Sequence, residues 1–256
     1  MVTRKIFSKL CAPFCALLLF GMEGCATVAL DEPDEIDPLE SWNRDVDDFN
    51  AALDRRILKP TADAYVRVTS QPVRNSVSNF FDNIRYLNTV LNQFLQGKVL
   101  QGFSDTGRFV VNTTMGVGGL FDVATGLGLE KHDEDFGQTL AVWGWKQSGY
   151  IVWPLLGPYT FRDSFGIPVD YLTNLANYLW ERRVTIPLFA FNVVDARVRA
   201  SGAIRFRDTA ALDPYLFTRE AFLQHREFLI YDGNPPPPEF FDLDEELPEG
   251  DKPPSQ

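Results

Sequence analysis

The stretch PVRNSVSNFFDNIRYLNTVLNQFLQG, residues 72–97, decides the fold of this 256-residue chain. Its apolar side chains recur at alternating spacings of four and three residues, at Val73, Val77, Phe80, Ile84, Leu87, Leu91 and Phe94. This spacing predicts an amphipathic helix of about six turns, since all of these side chains then lie on one face. Gln96-Gly97 predicts its end, because glycine readily adopts the conformation that closes a helix.

A second amphipathic helix is predicted ahead of it, starting at Asp37-Pro38-Leu39-Glu40. An acid at the N-cap, a proline at the first helical position and an acid three residues past the cap are typical of a helix start. Lys59-Pro60 is expected to end or kink this helix. Packing on a core is favoured over a membrane-surface position, which would need more Lys and Arg. The apolar stripe consists of Leu39, Trp42, Val46, Phe49 and Leu53.

The remaining pattern predicts about six or seven helices in total and little strand. The fold class is therefore mainly α, a single helical domain with a small hairpin. Thr139–Trp145 and Tyr150–Trp153 predict that hairpin, since they flank the turn residues 146–149 and are rich in strand-forming side chains. Further helices are expected at 98–111, 168–182, 189–206 and 214–230.

The first residues are typical of a secretory signal peptide. Three basic residues precede an apolar run at 10–20, which is too short to cross a bilayer because about 20 apolar residues are needed. Residues 1–24 are therefore predicted to be removed before Cys25, the lipid-attachment residue. Cys15 fits the lipoprotein cleavage pattern less well. An ordinary secreted protein with an unpaired terminal cysteine is the alternative.

The chain carries a net charge of −11. This argues against nucleic-acid binding, because phosphate contacts need clustered Lys and Arg. Two acidic, proline-containing segments flank the apolar pattern, and such segments cannot bury enough apolar surface to fold. We therefore predict an acylated acidic linker at 25–36, a folded helical domain at 37–232 and a disordered acidic, proline-rich tail at 233–256.

Two windows in the middle of the chain are almost free of charge, at 109–129 and 136–161. Glycines interrupt the first window, and the second contains most of the Trp residues together with Tyr150 and Tyr159. Aromatic side chains with a polar group favour the membrane–water interface. The windows suggest a domain seated in one leaflet of a membrane, with a glycine-rich buried core and an aromatic hairpin as an equally weighted alternative.

No catalytic motif or metal site is apparent in the sequence. The two histidines, His132 and His225, lie outside any zinc-binding spacing. Neither an esterase nucleophile elbow nor a phosphate-binding glycine loop occurs. The sequence therefore indicates a protein that is not an enzyme and that needs no cofactor.

Motifs in a fixed order along the predicted domain resemble the MlaA (VacJ) family of outer-membrane phospholipid-transport lipoproteins. The resemblance covers residues 37–232, and many motifs in matching order make it specific. They include Asp37 to Glu40 with Asn43, Arg44, Phe49 and Asn50, then Pro72 to Asn75, Gly116, Gly118 and Gly119, Asp135-Phe136-Gly137, Arg162-Asp163, and Asp213-Pro214-Tyr215.

The resemblance implies a ring-shaped helical lipoprotein, anchored in the outer membrane, facing the periplasm and seated in the inner leaflet of that bilayer. Such a protein associates with a trimeric porin and surrounds an amphipathic channel. It removes mislocalised phospholipids from the outer leaflet and passes them to an MlaC-like periplasmic carrier. The rival interpretation is a porin-binding structural adaptor without transport activity.

The same resemblance places a gate at Phe49-Asn50. Arg108, Asn112 and Asp122 are candidates for the polar path of the channel. For these three residues the structural alternative is that Arg108 and Asp122 pair with each other and that Asn112 caps a turn.

Overall fold

The computed structural model of the protein describes residues 36–236. Most of this range is helical, and its only strands form one two-stranded antiparallel sheet. The predicted mainly α fold with a small hairpin is therefore confirmed. The predicted signal peptide at 1–24, the acylated Cys25 with nearly all of its linker, and most of the tail at 233–256 lie outside the described residues.

The first helical arm runs without interruption through residues 40–68, although its winding changes. The predicted end or kink at Lys59-Pro60 is replaced by a π-helical turn immediately before it. Pro60 lies in the first turn of the following helix, where a missing backbone N–H is tolerated. The arm consists of α1 (Glu40–Leu53), the π-turn (Asp54–Leu58) and α2 (Lys59–Val68).

The predicted N-cap role of Asp37 is wrong. Helix α1 begins at Glu40, and the residue before it, Leu39, makes no side-chain cap. The Asp37 carboxylate is buried and accepts hydrogen bonds from Asn43 Nδ2 at 2.8 Å and from the Tyr215 hydroxyl at 2.5 Å. The local pattern favoured a cap, but partners elsewhere in the fold hold the carboxylate instead.

The predicted central helix is α3 (Gln71–Leu95), the longest helix in the described range. It ends ahead of Gly97, whose φ of 78° explains the choice of glycine. The chain then folds back as α4 (Val99–Thr114), which packs along α3. The helix predicted at 98–111 is therefore confirmed, with an end at Thr114.

The hairpin is confirmed, but its predicted first strand, Thr139–Trp145, is wrong. Asp135 accepts a hydrogen bond from the backbone N–H of Gln138 and so caps a helix at that point. The strand partner lies instead on the far side of a tight turn through Leu155, which has a φ of 68°. The elements here are α5 (Val123–Gly126), α6 (Phe136–Val142), β1 (Tyr150–Trp153) and β2 (Gly157–Thr160).

The last helices depart from prediction at their ends. The helix expected at 168–182 starts earlier, because Thr160 caps it, and it keeps Pro168 in its interior. It also ends earlier than predicted, at Thr173, and only a short helix at Ala176–Leu179 follows. The helix expected at 189–206 is interrupted at Ala200. The helix expected at 214–230 is confirmed. These elements are α7 (Phe161–Thr173), α8 (Ala176–Leu179), α9 (Arg182–Arg199), α10 (Ser201–Ala210) and α11 (Pro214–Ile230).

One cluster of buried apolar side chains lies between α1, β1 and α11 and is formed by Val46, Tyr150, Val152 and Tyr215. Many other large apolar side chains of the described residues are exposed. Leu100 is 87% exposed and Phe103 is 66% exposed, both on α4. Within residues 36–236, none of the helices combines the length and apolar character that crossing a membrane requires.

Candidate functional site

The interior of the described domain is unusually polar. Its buried side chains include more polar or charged residues than hydrophobic ones. Such groups are stable in an interior only when they are hydrogen-bonded or paired. The buried charged groups are Asp37, Asp105, Arg108, Glu134, Arg162, Asp163, Asp195 and Arg226.

Arg226 of α11 is the centre of a charge network in this interior. Its guanidinium donates to both Asp135 oxygens, at 2.5 and 3.0 Å, and to Asp163 at 2.8 Å. Arg162 donates to the same Asp163 oxygen at 3.1 Å. Burial raises the pKa of Asp135, but the Arg226 charge and hydrogen bond outweigh this and the net pKa is lowered. The network joins α6, α7 and α11.

The family-motif residues Asp135, Phe136, Gly137, Arg162 and Asp163 are therefore brought together by the fold. Gly137 is required by this packing, since a Cβ at that position would lie 2.3 Å from an Asp163 carboxylate oxygen. These residues hold three elements in register. Their contacts describe a structural role.

A layer of amides and hydroxyls continues the polar interior along α3. Asn92 accepts a hydrogen bond from the Thr139 hydroxyl at 2.7 Å, and Asn88 donates to Asp170 at 3.0 Å. Burial, with the nearby Asp135 carboxylate adding to it, raises the pKa of Asp170 to about 6. The side-chain amide of Gln93 is fully buried and has no hydrogen-bond partner among the described residues.

The polar-path candidates Arg108, Asn112 and Asp122 also meet in the structure. Arg108 donates to Asp122 at 2.5 Å and to the Leu129 carbonyl at 2.6 Å. Asn112 donates to Asp122 at 3.0 Å and accepts from the backbone N–H of Ala124 at 2.9 Å. Burial raises the pKa of Asp122, but its hydrogen bonds and Arg108 lower it overall. These contacts are the pairing and capping that the structural alternative describes.

The glycine motif forms the turn that carries Asp122 back to α4. A Cβ at Gly116 would lie 2.2 Å from the Phe121 carbonyl, and one at Gly119 would lie 2.4 Å from the Asn83 side chain. Gly118 and Gly119 have φ values of 70° and 89°, which favour glycine. Beside this turn is a recess of about 20 Å³, enough for about one water molecule.

Two asparagines of α1 clip the hairpin to that helix. Asn43 donates to the Tyr150 carbonyl at 3.3 Å and accepts from the backbone N–H of Val152 at 2.8 Å. Asn50 donates to the Trp153 carbonyl at 3.0 Å and accepts from the backbone N–H of Leu155 at 2.8 Å. The two side chains thus pair with successive backbone groups of β1 and its turn, as a neighbouring strand does.

The two clips differ in burial. Asn43 is fully buried, whereas Asn50 is half-buried and its neighbour Phe49 is 53% exposed. Arg44, the remaining family-motif residue of α1, donates to Asp213 at 2.9 Å and lies over the Tyr215 ring. Asn50 is therefore the outer and more accessible of the two clips.

A polar groove that we did not predict lies between α3 and α9 and has a volume of about 440 Å³. The sequence signal is a second stripe on α3, opposite the apolar one, in which polar side chains recur at helical spacing. On α9 the wall contains Asp195 and Arg199. The α3 wall is formed by Gln71, Arg74, Asn75, Ser78 and Asn79.

Within residues 36–236, no cluster of three or more His, Cys, Asp or Glu side chains is arranged to hold a metal ion. The described histidines have other surroundings. His132 Nδ1 lies 2.9 Å from Asp105, and the same carboxylate oxygen accepts the Tyr86 hydroxyl at 2.7 Å. His225 lies on α11.

Comparison with known proteins gives a consistent result. The family model described as MlaA lipoprotein matches residues 35–229. The intermembrane phospholipid transport system lipoprotein MlaA of Escherichia coli K12 is 33% identical over 225 residues, which cover 84% of this chain and 87% of that protein. The protein of the same name from Haemophilus influenzae is 28% identical over 242 residues, covering 91% and 93% of the two chains.

A solved structure supports the same assignment. It is described as the "structural basis for maintenance of bacterial outer membrane lipid asymmetry". Its TM-score is 0.67 at 32% sequence identity, and the match covers 76% of this chain and 98% of the solved one. Fold, sequence and motif order agree, and the chain belongs to the MlaA lipoprotein family.

Proposed function

We propose that this protein is an outer-membrane lipoprotein that removes mislocalised phospholipids from the outer leaflet and so maintains lipid asymmetry. The family supports this, because its named members belong to an intermembrane phospholipid transport system. The observation that carries the proposal is the inverted distribution of side chains, with polar groups inside and large apolar groups outside. A lipid headgroup needs polar partners, whereas the outer surface of a membrane-seated protein needs apolar ones.

In this proposal the helical domain forms a ring seated in the inner leaflet, with an amphipathic channel at its centre. Exposed apolar side chains in both uncharged windows, such as Met115, Phe121, Trp143 and Leu156, support contact with lipid. The polar interior along α3, α6 and α7 supports a path for headgroups. Acylation of Cys25 then serves mainly to place the protein on the correct membrane.

The proposed partners follow from the same family. A trimeric porin holds the protein in the bilayer, and a periplasmic MlaC-like carrier accepts the phospholipid. Flow through the channel needs no catalytic residue, cofactor or metal in this chain. The net movement of lipid is then downhill or driven by a partner.

The Asn50 clip gives the proposed gate at Phe49-Asn50 a physical basis. Deletion of both residues removes the outer clip on the hairpin and turns the following helix by about 200° relative to α1, since a residue advances about 100°. Asn43 stays in place, so the hairpin keeps its inner attachment. The result is a hairpin that is free to move at its turn.

The test is labelling of outer-leaflet phospholipid in cells that carry the deletion of Phe49-Asn50. We expect more labelled phospholipid than in cells with the unaltered chain, because an ungated channel lets lipid equilibrate between leaflets. Deletion of Ala51-Ala52 is the matched control, since it rotates the same helix and retains Asn50. Unchanged labelling in a folded Phe49-Asn50 deletion contradicts the gate.

The adaptor interpretation makes a different prediction. A porin-binding adaptor without transport activity carries no phospholipid when extracted in detergent. Complete loss of the chain would then leave outer-leaflet phospholipid at its normal level. Both results together would replace the transport proposal with the adaptor.

A further inference from the structure

We propose that the polar groove between α3 and α9 binds the phosphodiester headgroup of a phospholipid, with Arg74 as its main charged contact. This inference rests on the proposed transport function and adds a binding site to it. The groove lies apart from the polar interior that joins α6, α7 and α11. It is open to solvent and within the size range of about 300–1,000 Å³ that is typical of small-molecule sites.

Arg74 is a fixed positive charge in this groove. Its guanidinium donates to the Thr69 and Val66 carbonyls, the latter at 3.2 Å, and to Gln71 at 2.7 Å. These neutral acceptors position the group and leave its charge in place. No carboxylate of the described residues forms an ion pair with it. Arg74 also lies in the first turn of α3. The positive end of the helix dipole is at this terminus, and it favours an anion there and disfavours an unpaired cation.

The other arginine of the groove is neutralised. Arg199 lies 3.0 Å from an Asp82 oxygen and 3.2 Å from an Asp195 oxygen. Lys131 balances the second of these two negative charges, since it lies 2.6 Å from the other Asp82 oxygen. Asp195 is only 1% exposed and also accepts a hydrogen bond from the Ser78 hydroxyl at 2.9 Å. Its carboxylate is therefore held in place between α3 and α9. The groove therefore has one uncompensated positive charge, which favours a ligand with one negative charge.

The neutral side chains supply hydrogen bonds. The side-chain carbonyl oxygen of Asn75 accepts a hydrogen bond from Gln71 at 2.7 Å. The side-chain N–H groups of Asn75 take no part in this bond and can donate to a ligand. A guanidinium with adjacent amide donors suits the oxygens of a phosphate group. A phosphodiester carries a single negative charge, whereas inorganic phosphate near neutral pH carries more, so the diester matches the groove better. Val68 and Val73, on either side of the turn between α2 and α3, are 82% and 49% exposed and offer apolar surface for acyl chains.

Binding is measured by native mass spectrometry of the full chain extracted in detergent, with dihexanoylphosphatidylethanolamine as the probe. We expect Arg74→Gln and Asn75→Glu each to weaken binding by about tenfold or more, because each removes or opposes the positive charge. Asn75→Lys is expected to bind as well as the unaltered chain or better. Arg205→Gln, an equal change of charge at an exposed position on α10, is expected to have no effect.

The Asn75 pair keeps the test decisive if Arg74→Gln fails to fold. Asn75 is exposed and makes only a local contact on α3, so neither substitution disturbs the attachment of Arg74 to α2. Equal binding by Asn75→Glu and Asn75→Lys overturns the proposal. Equal binding of dihexanoylglycerol, which lacks phosphate, also overturns it. Tighter binding of inorganic phosphate than of the lipid would identify a free-phosphate site instead.

Failure of this inference is distinguishable from failure of the proposed function. Transport is scored separately, by labelling of outer-leaflet phospholipid in cells with and without the chain. Normal asymmetry in cells that lack the chain would reject transport even if the groove binds lipid. A clear asymmetry defect with no effect of the groove variants on lipid binding would reject the groove alone.

Discussion

The inner face of helix α7 and the outer face of helix α4 lie in opposite chemical surroundings. Around α7, Asp163 and Asp170 are enclosed with Arg226 and asparagine amides in an interior made largely of polar groups. On α4, Leu100 and Phe103 face outward with most of their surface exposed. A water-soluble protein normally shows the reverse arrangement for such residues. In this domain, hydrogen bonds and ion pairs hold the centre together, while many large apolar side chains remain exposed.

The polar side of this comparison is tested most strongly by Arg226→Met. This change removes the cation that the half-buried Asp135 and the buried Asp163 share, and leaves Asp163 with Arg162 alone. We expect the free energy of unfolding to fall by about 3–5 kcal/mol, the range found when one partner of a buried pair is removed. Denaturant unfolding in detergent measures the change.

Arg205→Met is the control for the loss of an arginine, because this side chain is exposed on α10. It should change stability by no more than about 0.5 kcal/mol. Equal unfolding midpoints for the Arg226 and Arg205 variants would show that the buried network contributes nothing.

The two asparagine clips lie at the boundary of the polar interior and differ in burial. Asn43→Leu removes two hydrogen bonds to β1 and one to Asp37, and leaves their buried partners unsatisfied. We expect a loss of about 2–4 kcal/mol. Asn50→Leu should lose about 1 kcal/mol, since its partners at the turn can reach water. A larger loss at Asn50 than at Asn43 would contradict this order.

The last of these stability effects concerns Asp170, and it has the opposite sign. Its pKa is raised to about 6 from 3.8, so the folded state binds more protons than the unfolded state between these values. The contribution of Asp170 to the free energy of unfolding therefore falls as pH rises through this window and is constant above it. Asp170→Asn should gain about 1–3 kcal/mol at pH 7 and show a flatter pH profile from pH 4 to 6. An unchanged profile of unfolding midpoints against pH rejects this assignment.

Sequence periodicity predicted the helices well where one face is strongly apolar. Helix α3 agrees with prediction because a stripe of this kind and a clear stop signal coincide there. Helix α11 agrees because Asp213-Pro214 is a strong start signal, with the Asp213 carboxylate accepting hydrogen bonds from the first backbone N–H groups. The predicted strand at Thr139–Trp145 failed because the capping side chain of Asp135 outweighed a weak alternating pattern. Asp37 failed as a cap because its partners, Asn43 and Tyr215, are fixed by tertiary packing.

The candidate site was also only partly predictable from the sequence. The resemblance pointed to Arg108, Asn112 and Asp122, and the fold does bring them together, with contacts that are structural in kind. The groove at Arg74 was missed, although its polar stripe is present in the sequence. A polar helical face normally indicates solvent, and only the approach of α9 turns it into a groove.

We propose that the exposed apolar surface seats this domain in a membrane. This seating is tested most directly by the fraction of a Cys25→Ser variant, exported with an ordinary cleavable signal, that sediments with membranes. We predict that a substantial fraction remains with membranes without the acyl anchor, and that adding Leu100→Gln and Phe103→Gln releases more of it. A fully soluble, folded Cys25→Ser protein would contradict the account.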